Sequence, residues 1–326
     1  MNVKRLMLLV LVALLGTAAC SGDDNDNSAS NNDQNTDAHN NITPGSDANN
    51  NNNNDTNDTS HPDDQTDSDS TPADTGVAVS DEVEWIAIPG GVFTMGHEKL
   101  MWAHPPHQVT VSPFFMARTE TTVAQYMKCV DAGVCPAPKN SSSSIPRNHE
   151  KPHGGPLPMD ATSWNGAVAF CTWAGGRLPS EAEWECAARG GGQDIAYPWG
   201  DELPSCDRCV MKTKPFGDTP EDWGCGTGEM QPACSRPAGN TAQGLCDMAG
   251  NTWEWVQDIW QDTYDGAPTD GSAWEDASTE PKRVIRGGNL TSHHNYTANF
   301  LHVSARDRGG RPQDIGWGFR CARDSD

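Results

Sequence analysis

The sequence predicts an α+β domain with little regular secondary structure, stabilised by disulfide bonds. Short alternating and helical patterns occupy residues 81–192, whereas the roughly 130 residues that follow show almost no periodicity. That second part consists largely of Trp, Gly, Cys and turn-forming residues. Ten cysteines lie beyond residue 81, and an even number in an exported chain is typical of disulfides. We therefore expect cross-links and a bound metal ion, not a large sheet, to hold this part together.

An export signal is predicted at residues 1–20. A basic pair precedes the apolar run Leu6–Leu15, which is too short to span a bilayer comfortably. Small residues then lead to Cys20, which resembles the cysteine of a bacterial lipobox. This predicts a lipid-modified Cys20 at the mature N-terminus, with ordinary secretion and cleavage near Ala19 as the alternative.

The segment behind Cys20 predicts a tether. Ser21 at the next position, rather than Asp, predicts sorting to the outer membrane of a Gram-negative cell. Residues 21–80 contain 13 Asp and no Lys, Arg or Glu, among Asn, Ser and Thr. Such a segment cannot bury enough apolar surface to offset its conformational entropy. We expect it to be disordered and extended by its charge, and not a calcium site, because no loop spacing recurs.

Residues 81–326 are predicted to fold, and they are acidic. They contain 32 acidic and 20 basic residues, a net charge of −12, in a chain whose formal net charge is −23. Phosphate binding requires clustered Lys and Arg, so no nucleic-acid partner is expected. Direct binding to anionic membrane surfaces is disfavoured for the same reason, whereas a calcium ion is compatible with this charge.

The strands that the sequence predicts lie at the start of residues 81–326. Alternation at Trp85–Thr94 and at His107–Phe115 predicts two strands, and Pro89, Gly90 and Gly91 predict a turn within the first.

Three short helices follow. They are predicted at Val123–Val130, at Trp164–Ala174 and from Ser180 through Ala188. Thr122 with Gln125, and Ser180 with Glu183, have the spacing of capping boxes. The third helix is expected to stop at the glycines that follow it.

Nine blocks of sequence follow one another in this part of the chain: Trp85–Gly96, His107–Val111, Glu120–Tyr126, Trp164–Ala167, Cys171–Glu185, Tyr197–Gly200, Gly244–Trp255, Arg283–Gly288 and Gly318–Cys321. Read together, they resemble the formylglycine-generating enzyme, or sulfatase-modifying factor, family. The resemblance covers nearly all of residues 81–326. It implies one domain with the family's elaborated C-type-lectin-like fold.

The resemblance also implies a calcium site. Asp247 and Glu254 are hard oxygen ligands seven residues apart, separated by a Gly-Asn turn that can aim carbonyl oxygens inward. The implied ligands are the side chains of Asp247 and Glu254 and the carbonyls of Gly250 and Thr252. The alternative, a plain turn with the neighbouring tryptophans in the core, is compatible with the same ligands.

The family's catalytic positions are changed in this chain. Active members oxidise a substrate cysteine with two cysteines that bind copper(I), an ion that soft thiolates suit and hydroxyls do not. The resemblance places those positions on Ser292 and Thr297, with Tyr296 retained, and places the family's active-site serine on Asn289. No neighbouring cysteine replaces them. We therefore do not expect copper-dependent cysteine oxidation.

Histidines near these positions are the other candidate ligands. Imidazoles bind iron or copper(II), but adjacent side chains on a strand point to opposite faces, so His293 and His294 cannot both face one centre. Relatives that hold non-haem iron take their histidines from an additional helical domain that this chain lacks. We expect instead a polar, groove-lining recognition loop formed by Asn289, Ser292, His293, His294, Tyr296, Thr297 and His302.

Three disulfides are predicted: Cys171–Cys321, Cys129–Cys135 and Cys186–Cys209. The first is implied by the resemblance, the second by its short separation, and the third by two positions where the family has other residues. The four remaining cysteines would pair among themselves in one of three ways: Cys206, Cys225, Cys234 and Cys246. A zinc site beginning at Cys206-x-x-Cys209 is the alternative, but no second pair of that spacing follows.

Two classes of function remain open. The first is a non-catalytic binding or structural module of the cell envelope, whose ligand is an unidentified peptide, protein or small molecule. The second is an oxidoreductase of the same family that performs formylglycine generation or a related oxygen-dependent oxidation without cysteines. The changed catalytic positions favour the first. In both cases the lipid on Cys20 is expected to anchor the protein to the membrane.

Overall fold

The computed structural model describes residues 82–140, 147–216, 219–275, 282–295, 299–309 and 316–325. The predicted signal peptide with Cys20, the predicted tether, and Tyr296 and Thr297 of the predicted groove lie outside these ranges. None of the helices within them has the length and apolar character of a membrane span.

The three helices begin where the sequence predicts. They are α1 (Val123–Asp131), α2 (Trp164–Trp173) and α3 (Glu181–Ala188). Both capping boxes form: Thr122 exchanges hydrogen bonds with Gln125, and Ser180 with Glu183. All eight residues of α3 are buried. Helix α3 is therefore surrounded by the core, not laid on its surface.

Short strands form three sheets in the described ranges. They are β1 (Trp85–Ile88), β2 (Gly91–Met95), β3 (His107–Val111), β4 (Phe114–Ala117), β5 (Trp253–Ile259), β6 (Arg283–Arg286), β7 (Arg306–Gly309), β8 (Trp317–Phe319) and β9 (Ala322–Asp324). The sheet orders are β1-β4-β9, β2-β3 and β7-β6-β5-β8. All pairings are antiparallel except that of β5 with β8.

Two strand predictions require correction. The expected strand His107–Phe115 is divided between β3 and β4, which lie in different sheets, because Pro113 cannot donate to a ladder. The part after Gly192, for which no large sheet was expected, contains the four-stranded sheet of β5–β8 and also strand β9. Strand β5 is buried at six of its seven residues, so the alternation that reveals a half-exposed strand is absent.

Buried ion pairs join α3 to the four-stranded sheet. Glu185 of α3 lies 2.5 Å from Arg286 of β6 and 3.0 Å from Arg189. Glu181, at the start of α3, lies 2.8 Å from Arg306 of β7. Because a buried charge without a partner is costly, these pairs fix the helix against both strands.

Four disulfides are present among the described residues: Cys129–Cys135, Cys171–Cys321, Cys206–Cys225 and Cys234–Cys246. The first two are pairs that the sequence predicted. The other two are one of the three pairings left open. The bond to Cys225 leaves no Cys206 thiolate for the alternative zinc site. Such cross-linking is typical of exported proteins.

The predicted pair Cys186–Cys209 is wrong. Both cysteines are free and buried. Cys186 packs into the main core with α3, whereas Cys209 lies in a smaller cluster with Tyr197, Met211 and Leu301. Two departures from the family pattern did not imply contact between them. Burial raises the pKa of each thiol to about 12.

Candidate functional site

The loop after β6 carries the positions that the family comparison singled out. It is pinned by three backbone hydrogen bonds: Leu290 donates to the Asn251 carbonyl (3.0 Å), Gly224 donates to the Leu290 carbonyl (3.0 Å), and Lys212 donates to the Ser292 carbonyl (2.9 Å). These bonds bring segments from far upstream in the sequence against residues 289–292.

Asn289 and Ser292 bind one another within this loop. The Asn289 side-chain oxygen accepts from the Thr291 amide (3.0 Å) and hydroxyl (2.9 Å) and from the Ser292 hydroxyl (3.3 Å). The Asn289 amide donates to Ser292 Oγ at 3.0 Å. Gly288 precedes them at φ +75°, where a Cβ would lie 2.9 Å from the Phe300 carbonyl oxygen. The Ser292 hydroxyl is thus occupied in holding the turn.

A pocket of about 390 Å³ opens beside this turn. Its lining combines aromatic rings, polar groups and one charge of each sign: Lys212, Trp223, Trp253, Asn289, Thr291, Ser292, Phe300 and Asp307. The rings of Trp253 and Phe300 meet edge to face at 5.0 Å. A concave wall that combines aromatic rings with a few polar groups is the usual form of a ligand site. We refer to it as the loop pocket.

The polar groups of the loop pocket include an unpartnered donor. The indole N–H of Trp223 is buried and has no hydrogen-bond partner among the described residues. Lys212, which is 2% exposed, adds a positive charge. Asp307 accepts from the Arg308 amide at 2.7 Å, and burial raises its pKa. The pocket therefore offers donors to an oxygen-bearing ligand.

The three predicted histidines do not line the loop pocket. The rings of His293 and His294 stack at 4.3 Å, and His293 Nδ1 accepts from the Asn295 amide at 3.0 Å. Burial lowers the pKa of both. In the part of the chain that the structure describes, no group of three or more His, Cys, Asp or Glu could hold a metal ion.

His302 is a packing residue. It is 9% exposed, and its ring lies 5.0 Å from that of His97 and 5.9 Å from that of Tyr197. Its Nδ1 accepts from the Ser304 amide at 3.1 Å. Burial, and next the neighbouring His97, lower the pKa of His302 to about 4. Of the predicted groove residues that are described, only Asn289 and Ser292 come together at a pocket.

The predicted calcium ligand Glu254 already has strong partners. Its two carboxylate oxygens lie 2.7 Å from Nη2 and 2.7 Å from Nε of Arg320, and Trp184 donates to one of them at 2.8 Å. Burial of all three side chains makes this a closed arrangement. A calcium ion at Glu254 would therefore have to compete with Arg320 for this carboxylate.

Asp247 fits a cation better. Its carboxylate accepts from the Cys234 amide at 2.6 Å, and burial raises its pKa to about 6. Nearby, Glu120 accepts from Asn251 (2.7 Å) and from the Thr252 amide (3.0 Å). Burial, and then the charges of Asp247 and Glu254, raise the pKa of Glu120 well above its usual range. Calcium at the predicted ligands Asp247, Gly250, Thr252 and Glu254 stays a prediction.

The described residues do not fit copper(I). At position 292 the chain offers a hydroxyl that is already hydrogen-bonded, and hydroxyls are poor ligands for this soft ion. The free thiols in the described ranges, Cys186 and Cys209, are buried in separate clusters and protonated. Thr297 lies outside those ranges.

Comparison with known proteins gives consistent matches. A family model described as "Sulfatase-modifying factor enzyme 1-like domain" matches residues 73–325. The formylglycine-generating enzyme of Thermomonospora curvata is 33% identical over 289 residues, 73% of this chain and 93% of that protein. Inactive C-alpha-formylglycine-generating enzyme 2 of Mus musculus is 36% identical over 169 residues, 51% of this chain and 49% of that protein.

A solved structure is also similar. PvdO from Pseudomonas aeruginosa has 28% sequence identity and a TM-score of 0.59, over 76% of this chain and 96% of that one. This match confirms the fold class that the sequence predicts, an α+β domain of the C-type-lectin-like kind with little regular structure.

Proposed function

Since the chain belongs to the sulfatase-modifying factor enzyme 1-like family, we propose that it is a non-catalytic member that binds a peptide segment in the loop pocket. The observation that carries this proposal is the pocket itself. It adjoins Ser292, where active relatives need a thiolate, and it combines aromatic walls with the buried indole N–H of Trp223, unpartnered among the described residues. The scaffold has kept a site for a ligand without the residues for copper chemistry.

Peptide is the ligand class that suits these groups. Backbone carbonyls would accept from the Trp223 indole, and an apolar side chain would pack against the contacting rings of Trp253 and Phe300. An unmet buried donor is costly, so a ligand that satisfies it gains affinity. The existence of a relative named inactive supports the idea that this fold is retained without the activity of its family.

The location we propose is the cell envelope. Four disulfides fit an exported protein. Lipidation of Cys20, with residues 21–80 as a tether, would hold the domain at the outer membrane while leaving the pocket free to meet partners. Metabolic labelling with a palmitate analogue tests this part, and a label that survives Cys20→Ser would contradict it.

The catalytic alternative is tested first. Purified full chain is incubated with copper(I), oxygen, a reductant and a sulfatase-type cysteine peptide, and mass spectrometry follows aldehyde formation. We expect none. Turnover under these conditions, or with the metal omitted, would favour an oxidoreductase that uses residues other than cysteine and would overturn the proposal.

Binding is tested with a display library of short random peptides selected against the full chain. We expect enriched peptides to bind about fivefold more weakly to Trp223→Phe, which loses one donor, and more than tenfold more weakly to Trp223→Ala. Trp173→Ala is the matched control, because Trp173 is 42% exposed and far from the loop in sequence. No enrichment, or binding indifferent to both Trp223 variants, would contradict the proposal.

A further inference from the structure

A second pocket, of about 330 Å³, shares no lining residue with the loop pocket. Three segments wall it: residues 190–195, the turn 198–200 together with Arg208, and residues 238–242. We refer to it as the turn pocket. Neither the family's catalytic positions nor the predicted calcium loop contributes to it.

The walls of the turn pocket are fixed from behind. Tyr197 and Gly200 exchange two backbone hydrogen bonds of 2.9 Å each, which close the turn that carries Trp199. The buried guanidinium of Arg189 donates to the carbonyls of Gln193 (3.2 Å) and Ile195 (3.1 Å). The pocket is therefore formed before any ligand arrives, and little ordering cost opposes binding.

The third wall is in close contact with the second. A Cβ at Gly239 would lie 1.7 Å from the carbonyl oxygen of Arg208, so the two backbones touch and only glycine fits. Asn240, the next residue, lines the pocket beside this contact.

Trp199 supplies an aromatic surface to the pocket. Its ring stacks on Tyr197 at 5.4 Å with an interplanar angle of 8°, and its N–H donates to the Glu202 carbonyl at 2.8 Å. These contacts hold the partly exposed indole in one orientation. The guanidinium of Arg208 lies 5.9 Å from the same ring and pairs with the Glu202 carboxylate.

A buried amide oxygen without a partner in the described ranges belongs to the third wall of the turn pocket. Oδ1 of Asn240 has no hydrogen-bond partner among the described residues, and neither has Oε1 of Gln243. Asn240 lines the pocket, whereas Gln243 lies behind the lining and donates to the carbonyl of Gly190 at 2.9 Å. Native proteins satisfy most buried polar atoms, so orphaned acceptors beside a pocket point to a ligand that carries donors.

Charge narrows the class of that ligand. Polyanions are disfavoured by the chain's net charge of −23. Arg208, the charged residue in the lining, already pairs with Glu202, so the pocket offers an ionic ligand no unpaired counter-charge. The ligand is therefore neutral, has hydroxyl or amide donors, and has an apolar face for the indole.

We propose that the turn pocket binds a neutral saccharide. A pyranose ring has a face of C–H groups that can pack on the Trp199 indole and edge hydroxyls that can donate to Asn240 Oδ1. The pocket volume matches one or two sugar units, since ligand pockets of roughly 300–1,000 Å³ hold small molecules. This site is independent of the proposed peptide site.

Saturation-transfer NMR on the full chain tests the proposal with cellobiose, maltose, lactose and N,N′-diacetylchitobiose as probes. We expect at least one to receive saturation, strongest at its ring C–H protons. Affinity should fall at least about tenfold in Trp199→Ala and about fivefold in Asn240→Ala. Trp199→Phe, which keeps an aromatic face, should retain most of it, and Trp173→Ala should match the wild type.

Thermal unfolding shows whether each variant is folded. If Trp199→Ala does not fold, the proposal is tested with Asn240→Ala and Trp199→Phe alone. Three outcomes would overturn the proposal: none of the four sugars binds, sugar binding survives in the folded Trp199 and Asn240 variants, or only a blocked dipeptide amide binds with the same dependence on Trp199. Sugar binding lost in Trp223→Ala instead would place the sugar in the loop pocket and overturn it as well.

Discussion

Arg320 and Glu254 form a two-pronged ion pair at the centre of the fold, with Nη2 to Oε1 and Nε to Oε2 both at 2.7 Å. Glu254 lies on β5 and pairs in register with Gly318 of the parallel strand β8. Arg320 also donates to the carbonyl of Cys246 at 2.8 Å. Its guanidinium is therefore the cation that balances a cluster of buried carboxylates. The same group holds the loop end at Cys246 through that residue's carbonyl.

Arg320→Met is expected to lower the free energy of unfolding by about 3–5 kcal/mol, because it leaves Glu254 buried and unpaired. Urea denaturation measures this. Arg118→Met is the control, since Arg118 pairs with the exposed Glu84 and such pairs contribute about 1 kcal/mol or less. The double variant Arg320→Met with Glu254→Gln should lose less free energy of unfolding than the two single variants lose in sum. Strict additivity would mean that the pair is not coupled.

His302 should make the protein sensitive to mild acid. Its pKa in the fold is about 4, below the roughly 6.5 of an unfolded chain. The folded state thus binds fewer protons between these values, and stability should fall as the pH falls through this window, by about 3 kcal/mol at most. His302→Asn, which can still accept from Ser304, should show a shallower loss from pH 7 to pH 4. The exposed His153→Asn should keep the wild-type slope, and an unchanged slope in His302→Asn would refute the assignment.

The disulfides provide a comparison of loop lengths. Cys171–Cys321 closes a separation of 150 residues and Cys129–Cys135 one of 6. If restriction of the unfolded chain dominates, replacing both cysteines by alanine should cost about 5 kcal/mol for the first pair and about 2 kcal/mol for the second. Equal losses in urea denaturation would show that local packing, not loop closure, sets their contribution.

Calcium is predicted to stabilise the loop that begins at Asp247. A calcium concentration about 100 times the dissociation constant would add about 2.7 kcal/mol, which for a domain of this size corresponds to a rise in Tm of about 5–10 °C. Scanning calorimetry should show this rise in the wild type and in the exposed-site control Asp265→Asn, but not in Asp247→Asn. A wild-type Tm that does not change when calcium is added would contradict the predicted calcium site.

Local chemistry made the helices predictable. Thr122 with Gln125 and Ser180 with Glu183 signal helix starts through contacts within one turn, and both starts are found as expected. Strands β5–β8 were not predicted, because their partners lie far apart in the chain. Their faces are also mostly buried, which removes the alternation on which strand prediction relies. The predicted pair Cys186–Cys209 was wrong for another reason, since two departures from a family pattern carry no information on whether the two residues are in contact.

Part of the candidate site could be predicted from the sequence. Asn289 and Ser292 were found because they fall on family positions in one short loop. Lys212 and Trp223 were missed because only the backbone bonds of Ser292 and Leu290 bring their segment to that loop. His302 was assigned to the groove because of its neighbours in sequence, yet its side chain turns towards His97 and Tyr197.

The position of β9 has a consequence for the order in which the domain can fold. Strand β4 pairs with β1 on one side and with β9 on the other, and residues 317–324 also supply β8, Arg320 and Cys321. Until this segment joins the fold, β4 keeps an open edge, Glu254 lacks its cation and Cys171 has no disulfide partner. Folding is therefore complete only when the strands β8 and β9 have docked and oxidation has joined Cys321 to Cys171.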